Sequence, residues 1–316
     1  MNFCRRPLQK EPENRYNKRY MEKRDRADRP TRETDPGFWP ALCKGRRNQM
    51  KQYSYFPGCT LKEKARELDL YARQCAEKLG FSLQELPQWQ CCGAVYPMAS
   101  DEIAPKLSAV RALEQARQQG QDLVTVCAAC HHVIKRVNDD MKQGGDIAFR
   151  ANRYLGFDMP YEGQTKVLHY LEVLRDEIGF DAIRARVEKP LTGEKIGAYY
   201  GCMLLRPSGV MQFDDPESPS VLENLLAALG AEPVDFPMRN ECCGGYRVVD
   251  DAQAAGKAAR RVIENALKNG VEELVTACPL CRYNLKKVAD GQIRVSYFTE
   301  VLARALGLLK EGGTNA

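Results

Sequence analysis

Two pairs of adjacent cysteines constrain this chain more than any other feature. Gln90-Cys91-Cys92-Gly93 has a second copy in Glu241-Cys242-Cys243-Gly244, and the frame around each copy agrees. Between Cys59 and the first pair lie 31 residues, and 34 more lead to Cys127-Ala128-Ala129-Cys130. Between Cys202 and the second pair lie 39 residues, and 34 again lead to Cys278-Pro279-Leu280-Cys281. Ten of the 13 cysteines therefore form two sets of five, each written C…CC…CxxC. An internal repeat of this kind predicts two similar halves.

A chain of 316 residues is long enough for two compact domains of ordinary size. No run of 18 apolar residues is present, so no membrane span is expected, and the charged N-terminus has no apolar h-region. The expected location is the cytoplasm. There, thiols at fixed spacing point to metal or redox chemistry more than to structural disulfides. The net charge of +5 is local in origin: residues 1–51 hold 15 Lys/Arg against 7 Asp/Glu, which leaves the remainder at −3. A basic tail of this kind stays solvated, and no nucleic-acid partner is expected.

Residues 1–50 lack any sustained period and read as a disordered extension, with Cys4 and Cys43 as isolated thiols. From Tyr53 the chain turns α/β. Tyr53–Phe56 reads as a strand ending at Pro57-Gly58-Cys59. Leu61, Ala65, Leu68, Ala72, Cys75 and Leu79 mark one helix closed by Gly80, with Cys75 a small core residue. Strands over Phe81–Leu86 and Leu123–Val126 and helices over Pro105–Gln119 and His131–Met141 follow. The second half repeats the order: strand Lys195–Tyr200, helix Pro219–Leu229, strand Pro233–Phe236, helix Ala252–Asn269 and strand Leu274–Thr276. The segment Val167–Leu174 matches Val295–Leu302, and about 23 extra residues in the first half fall near 138–164. These patterns predict a first domain over 51–192 and a second over 193–316, each a Rossmann-like α/β unit on a parallel sheet. Ligands of such sheets sit off the C-terminal strand ends, where the cysteines fall. Each half is expected to fold around its own set.

Thiolates suit iron–sulfur clusters and zinc. A zinc site closes with four ligands, usually from two CxxC-like knuckles, whereas each half here offers one CxxC, an adjacent pair and a fifth cysteine. A cubane cluster also leaves one thiolate over. Thiol chemistry without metal stays open as a third reading.

At this point the chain resembles the B subunit of heterodisulfide reductase, with its tandem cysteine-rich CCG domains. The resemblance rests on the two five-cysteine sets, on Tyr55-Phe56-Pro57-Gly58-Cys59-Thr60, on Gly201 through Ser208, on Asp214-Asp215-Pro216-Glu217 and on Cys242-Cys243-Gly244-Gly245. It covers residues 51–305. It implies two non-cubane [4Fe–4S] clusters that face each other between the domains, with a disulfide reduced, or thiols oxidised, between them. It assigns Cys59, Cys91, Cys92, Cys127 and Cys130 to one cluster and Cys202, Cys242, Cys243, Cys278 and Cys281 to the other. No GxGxxG follows a strand and no ferredoxin-type cysteine run is present, so a partner must deliver electrons. In the family that partner is a ferredoxin-like subunit, which is fed in turn by a flavin subunit.

Other residues carry two readings each. His131 and His132 follow Cys130 at a helix start, either as proton donors to a leaving thiolate or, as we favour, as an exposed first-turn pair. His169 ends a strand opposite its repeat mate Tyr297 and reads as a satisfied core residue more than a catalyst. Arg206 could bind an anionic group of a substrate or form a structural ion pair. Gly93, Gly244 and Gly245 let the backbone approach a cluster, or simply turn. Two other functions stay in view: the CCG subunit of a lactate- or glycolate-oxidising complex, and a zinc-stabilised scaffold without catalysis.

Overall fold

Short β-rich runs alternate with amphipathic helices, and the chain builds two parallel sheets from them. The computed structural model describes residues 50–94 and 101–309; the expected extension, except Met50, lies outside the described residues. The first half runs β1 (Lys51–Tyr55), α1 (Cys59–Glu63), α2 (Arg66–Leu79), β2 (Phe81–Glu85), α3 (Ala104–Gln118), β3 (Leu123–Thr125), α4 (Ala128–Gln143), α5 (Gly145–Leu155), β4 (Val167–His169) and α6 (Tyr170–Glu172). A π-helical segment, Val173–Ile178, and α7 (Phe180–Arg184) complete it. The second half runs β5 (Lys195–Tyr199), α8 (Ser208–Met211), α9 (Val221–Ala228), β6 (Glu232–Pro233), α10 (Arg247–Asp250) and α11 (Ala252–Lys268). It ends with β7 (Glu273–Thr276), α12 (Pro279–Ala289), β8 (Arg294–Tyr297) and α13 (Phe298–Ala305).

Both sheets have the same order, β2-β1-β3-β4 and β6-β5-β7-β8, and every pairing is parallel. In each, the strand order reverses between the first and third strands. Such a reversal leaves a crevice at the carboxyl ends of the two strands. The loops leaving those ends carry Cys59 and Cys127 in one half and Cys202 and Cys278 in the other. The predicted α/β fold with two similar halves is therefore what the chain adopts.

Two local readings need correction. The apolar period from Leu61 to Leu79 is not one helix: Ala65, at φ −140° and ψ 52°, separates α1 from α2. Leu61 and Leu68 are both fully buried, so the period passes through the break without registering it. The strand expected over Pro233–Phe236 pairs only at Glu232–Pro233, because this edge strand turns inward and buries Phe236 in the core. Cys75, by contrast, is a fully buried core residue as expected. Within the inserted stretch lies α5, tied down where Tyr161 Oη donates to Asn138 Oδ1 at 2.6 Å.

The two halves are interlocked. Helix α13 of the second half packs on α2 of the first, and α7 of the first packs on α9 of the second. Thr299 Oγ1 donates to the Leu68 carbonyl at 3.1 Å, and Lys78 Nζ to the Leu306 carbonyl at 2.5 Å. Phe298, Val301, Leu302 and Ala305 on α13 are buried. Each large apolar side chain so covered contributes about 1.5–3 kcal/mol. Each half therefore leaves an apolar helix face for the other to cover. Cut between residues 192 and 193, neither half expressed alone should show a cooperative thermal transition by circular dichroism, whereas the two co-expressed should. Cooperative melting of the second half alone would contradict this.

Candidate metal centre

The ten repeat cysteines come together at the carboxyl ends of the two sheets. In the first half Gly58, at φ 79°, turns the chain so that Cys59 opens α1. Cys127 and Cys278 are the residues before α4 and α12, and each has its backbone N–H held by a threonine two residues earlier, Thr125 Oγ1 at 3.3 Å and Thr276 Oγ1 at 3.4 Å. The second CxxC cysteine then sits in the first turn of its helix. Among the described residues every cysteine is a free thiol.

The sulfurs form a chain of contacts. Cys59 Sγ lies 3.8 Å from Cys91 Sγ, and Cys243 Sγ lies 3.4 Å from Cys281 Sγ. Cys92 is hydrogen-bonded to Cys91 and Cys130, and Cys127 to Cys130. Cys278 is close enough to Cys281 and, across the two halves, to Cys127 for both thiols to shift its titration. Cys202 pairs with Cys242. The first set therefore adjoins the second at Cys127 and Cys278, whose loops are joined by Ala128 N–H donating to Ala277 O at 3.0 Å.

These contacts polarise the thiols. Hydrogen bonds from Cys130 and Cys91 hold Cys92 down at about 4, and the bond from Cys202 holds Cys242 at about 6. Cys243 and Cys278 are lowered in the same way, by Cys281 and by Cys127. Their donors, Cys130, Cys202 and Cys281, are pushed up. Backbone N–H groups add to the lowering: Ala94 for Cys92, Gly244 for Cys242 and Gly245 for Cys243. The glycine loops thus aim backbone donors at cysteine sulfur, a ligand-tuning arrangement.

Steric space is equally specific. A Cβ on Gly58 would lie 2.8 Å from Cys130 Sγ, and one on Gly244 would lie 2.6 Å from the Ala255 Cα. Cys59 and Cys242 are exposed, while Cys92, Cys127, Cys130, Cys243, Cys278 and Cys281 are buried. No three His, Cys, Asp or Glu side chains among the described residues stand around one point as ligands of a single ion. Five thiols in contacting pairs per set fit a multi-iron cluster, which takes thiolates at separate irons, better than the tetrahedral ring of one zinc.

The remaining expected residues surround this core. His131 is not exposed: α4 begins at Ala128, so His131 lies one turn in and is fully buried. Its Nε2 is 3.4 Å from Glu172 Oε2, but neither ring nitrogen is aligned for a hydrogen bond, and burial holds its pKa well below the usual imidazole range. His132 is half-buried, its Nδ1 3.1 Å from the Met203 carbonyl oxygen of the other half. His169 is a buried N-cap of α6 in a capping box with Glu172, and its Nε2 lies 3.1 Å from the Val126 carbonyl. Its repeat mate Tyr297 donates from Oη to that same carbonyl at 2.5 Å and to Ala277 O at 3.1 Å. His169 and Tyr297 thus hold the backbone just before Cys127 and Cys278. Arg206 donates to Asn240 O, Pro216 O and Glu217 Oε1, which is the structural ion pair of the two readings. Gly93, Gly244 and Gly245 all have positive φ.

Two residues escaped the sequence reading. Buried Asn284 donates from Nδ2 to the Gly245 carbonyl at 3.1 Å and approaches Cys243 Sγ at 3.6 Å, so it braces the second glycine loop. Half-buried Tyr246 has its hydroxyl pushed up by burial and by Cys127, Cys278, Cys92 and Cys130, thiols of both sets. Position gave the only signal: Tyr246 directly follows Gly244-Gly245, and Asn284 is one helical turn beyond Cys281.

The glycines give a test. Gly80→Ala, with positive φ but open space around it, should cost about 1 kcal/mol of stability and leave the bound metal per chain unchanged. Gly58→Ala should lower metal content by about half, because its Cβ displaces Cys130. Equal metal content in the two variants would contradict the steric argument.

The profile of the cysteine-rich CCG domain matches residues 53–135 and again 196–286, the two stretches that carry the thiols. The chain is 31% identical to the 8-methylmenaquinol:fumarate reductase membrane anchor subunit of Wolinella succinogenes, over 84% of this chain and 96% of that protein. It is 29% identical to the B subunit of the ferredoxin/F(420)H(2)-dependent CoB-CoM heterodisulfide reductase of Methanosarcina acetivorans, over 82% of this chain and 90% of that one. A protein of Archaeoglobus profundus, named as similar to the B subunit of heterodisulfide reductase, is 28% identical over 82% of this chain and 91% of its own. Among solved structures, a hypothetical protein from Helicobacter pylori shares the fold at a TM-score of 0.64 and 13% identity, over 82% of this chain and 50% of that one. No helix among the described residues is long and apolar enough to cross a membrane.

Proposed function

Because the chain belongs to the family of cysteine-rich CCG proteins, we propose that it is the iron–sulfur subunit of a multi-subunit oxidoreductase of the heterodisulfide reductase type, acting on a disulfide or on thiols. The observation that carries this reading is the joining of the two CxxC loops, where Ala128 N–H donates to Ala277 O at 3.0 Å beside Cys127 and Cys278. Cys59, Cys91, Cys92, Cys127 and Cys130 would hold one [4Fe–4S] cluster of non-cubane type, and Cys202, Cys242, Cys243, Cys278 and Cys281 the other. When bound, such clusters supply one-electron transfer at iron that can take a sulfur ligand.

The chain's own residues do the rest. Gly244 and Gly245 stabilise thiolate at Cys242 and Cys243 through backbone N–H groups. His169 and Tyr297 fix the carbonyls ahead of Cys127 and Cys278, so both CxxC loops keep one register. Half-buried Tyr246, whose hydroxyl senses thiols of both sets, adds to the low polarity there, which strengthens each hydrogen bond. Homologues of the family's ferredoxin-like and flavin subunits are the partners we infer for electron delivery, and the cytoplasm is the location.

A second reading has its own support. The Wolinella relative is named as a subunit of a quinol:fumarate reductase, and the match covers 96% of it. In that reading the same sulfur-rich centre serves a quinol instead of a disulfide.

Anaerobically purified chain should contain about eight iron and eight sulfide, the count for two four-iron clusters. Stoichiometric zinc without sulfide would overturn the reading in favour of a scaffold. Cys92→Ser and Cys243→Ser should each remove one paramagnetic resonance signal, keep the other, and slow reduction of a small disulfide by an artificial donor about a hundredfold or more. Near wild-type disulfide turnover in a variant that has lost a cluster would overturn the need for both sets. Rapid menaquinol oxidation with no disulfide turnover in the wild-type chain would favour the quinol reading.

A further inference from the structure

The break between α1 and α2 opens a pocket of about 310 Å³ where the two halves meet, on the side of the cysteines marked by Thr60 and Pro279. Its apolar surface comes from Pro279, the exposed ring of Tyr283 and the edge of Ala65. One wall is the α1–α2 junction, which presents Lys64. The opposite wall is α12, which presents Arg282, Lys286 and Lys287. No carboxylate lines it. Arg282 already shares its charge with Glu300 at 3.4 Å and Glu67 at 3.8 Å, and its Nε is buried without a partner. The three lysines are exposed, and none is ion-paired among the described residues. Lysines in a last helical turn are favoured by the helix dipole, which accounts for Lys286 and Lys287 on α12. Lys64 is likewise the C-cap of α1, so helix ends from both halves bring cations to this one pocket.

We propose that this pocket binds a small organic dianion, two acidic groups joined by a short apolar spacer. Cations on facing walls favour two separated negative groups, and the apolar surface between them favours carbon there over a compact inorganic ion. The acidic groups are carboxylates in one chemistry and phosphates in the other, and the pocket's charge accepts either at each wall. The inference goes beyond the redox reading and does not depend on it, because binding requires no turnover.

The test is calorimetry on the full-length chain with its metal bound, titrated with succinate, glutarate and adipate, with inorganic phosphate, and with neutral hexane-1,6-diol. At least one dicarboxylate should bind, more weakly as salt rises, and more tightly than phosphate; the diol should not bind. Lys64→Glu, and separately Lys286→Glu with Lys287→Glu, should each weaken dicarboxylate binding about tenfold while iron content and thermal midpoint stay unchanged. Loss in only one of these variants would overturn the two-walled site. So would phosphate binding as tightly as the best dicarboxylate, or no binding of any of the three. Binding of a bisphosphate with the adipate spacer more tightly than adipate would support the site and assign phosphate as its natural chemistry.

Discussion

The structure depends on one junction, where the backbones of the two CxxC loops are held together. Ala128 N–H donates to Ala277 O at 3.0 Å, joining the residue after Cys127 to the residue before Cys278. Tyr297 Oη reaches both Val126 O and Ala277 O from beneath. These groups are buried, and leaving any of them unpaired would cost about 1–3 kcal/mol. The register of one cysteine set is therefore tied to that of the other. Everything farther out, the sheets and the exchanged helices, keeps this junction closed and dry.

Much of this was legible in the chain. The repeat of C…CC…CxxC located two equivalent sheets, and short β-rich runs ahead of cysteines placed the thiols at carboxyl strand ends. Cys75 was legible because it falls on an apolar helical face. Periodicity has a limit, however: it marks a face as apolar without saying what covers it. The face formed by Leu68, Ala72 and Cys75 could have packed on its own sheet alone; it also meets α13 from the other half. His131 was misplaced because the helix starts at Ala128, three residues earlier than its polar pattern indicated, which swings the ring from the surface to the core.

The repeat is also imperfect in informative places. His169 and Tyr297 occupy equivalent caps, yet the tyrosine bonds to carbonyls of both halves and the histidine to one. Asn284 braces the second glycine loop, whereas the corresponding position of the first half, one turn beyond Cys130, is Val133. The two five-cysteine sets thus share a thiol pattern while their surroundings differ, so any two clusters bound there would have different hydrogen-bonding around sulfur. Differences of that kind set reduction potential.

The exchange of helices has a consequence for how the molecule is made. The ribosome delivers β1, α1 and α2 first, and α13 more than two hundred residues later. Through most of synthesis the part of the α2 face that meets α13 has no cover, and the Cys127 loop lacks the Cys278 loop. The first set is therefore complete in thiols long before it is complete in shape. Any metal taken up by these thiols would follow the same order: the first five thiols are made early, and the sulfur-rich centre closes only when α13 returns to cover α2.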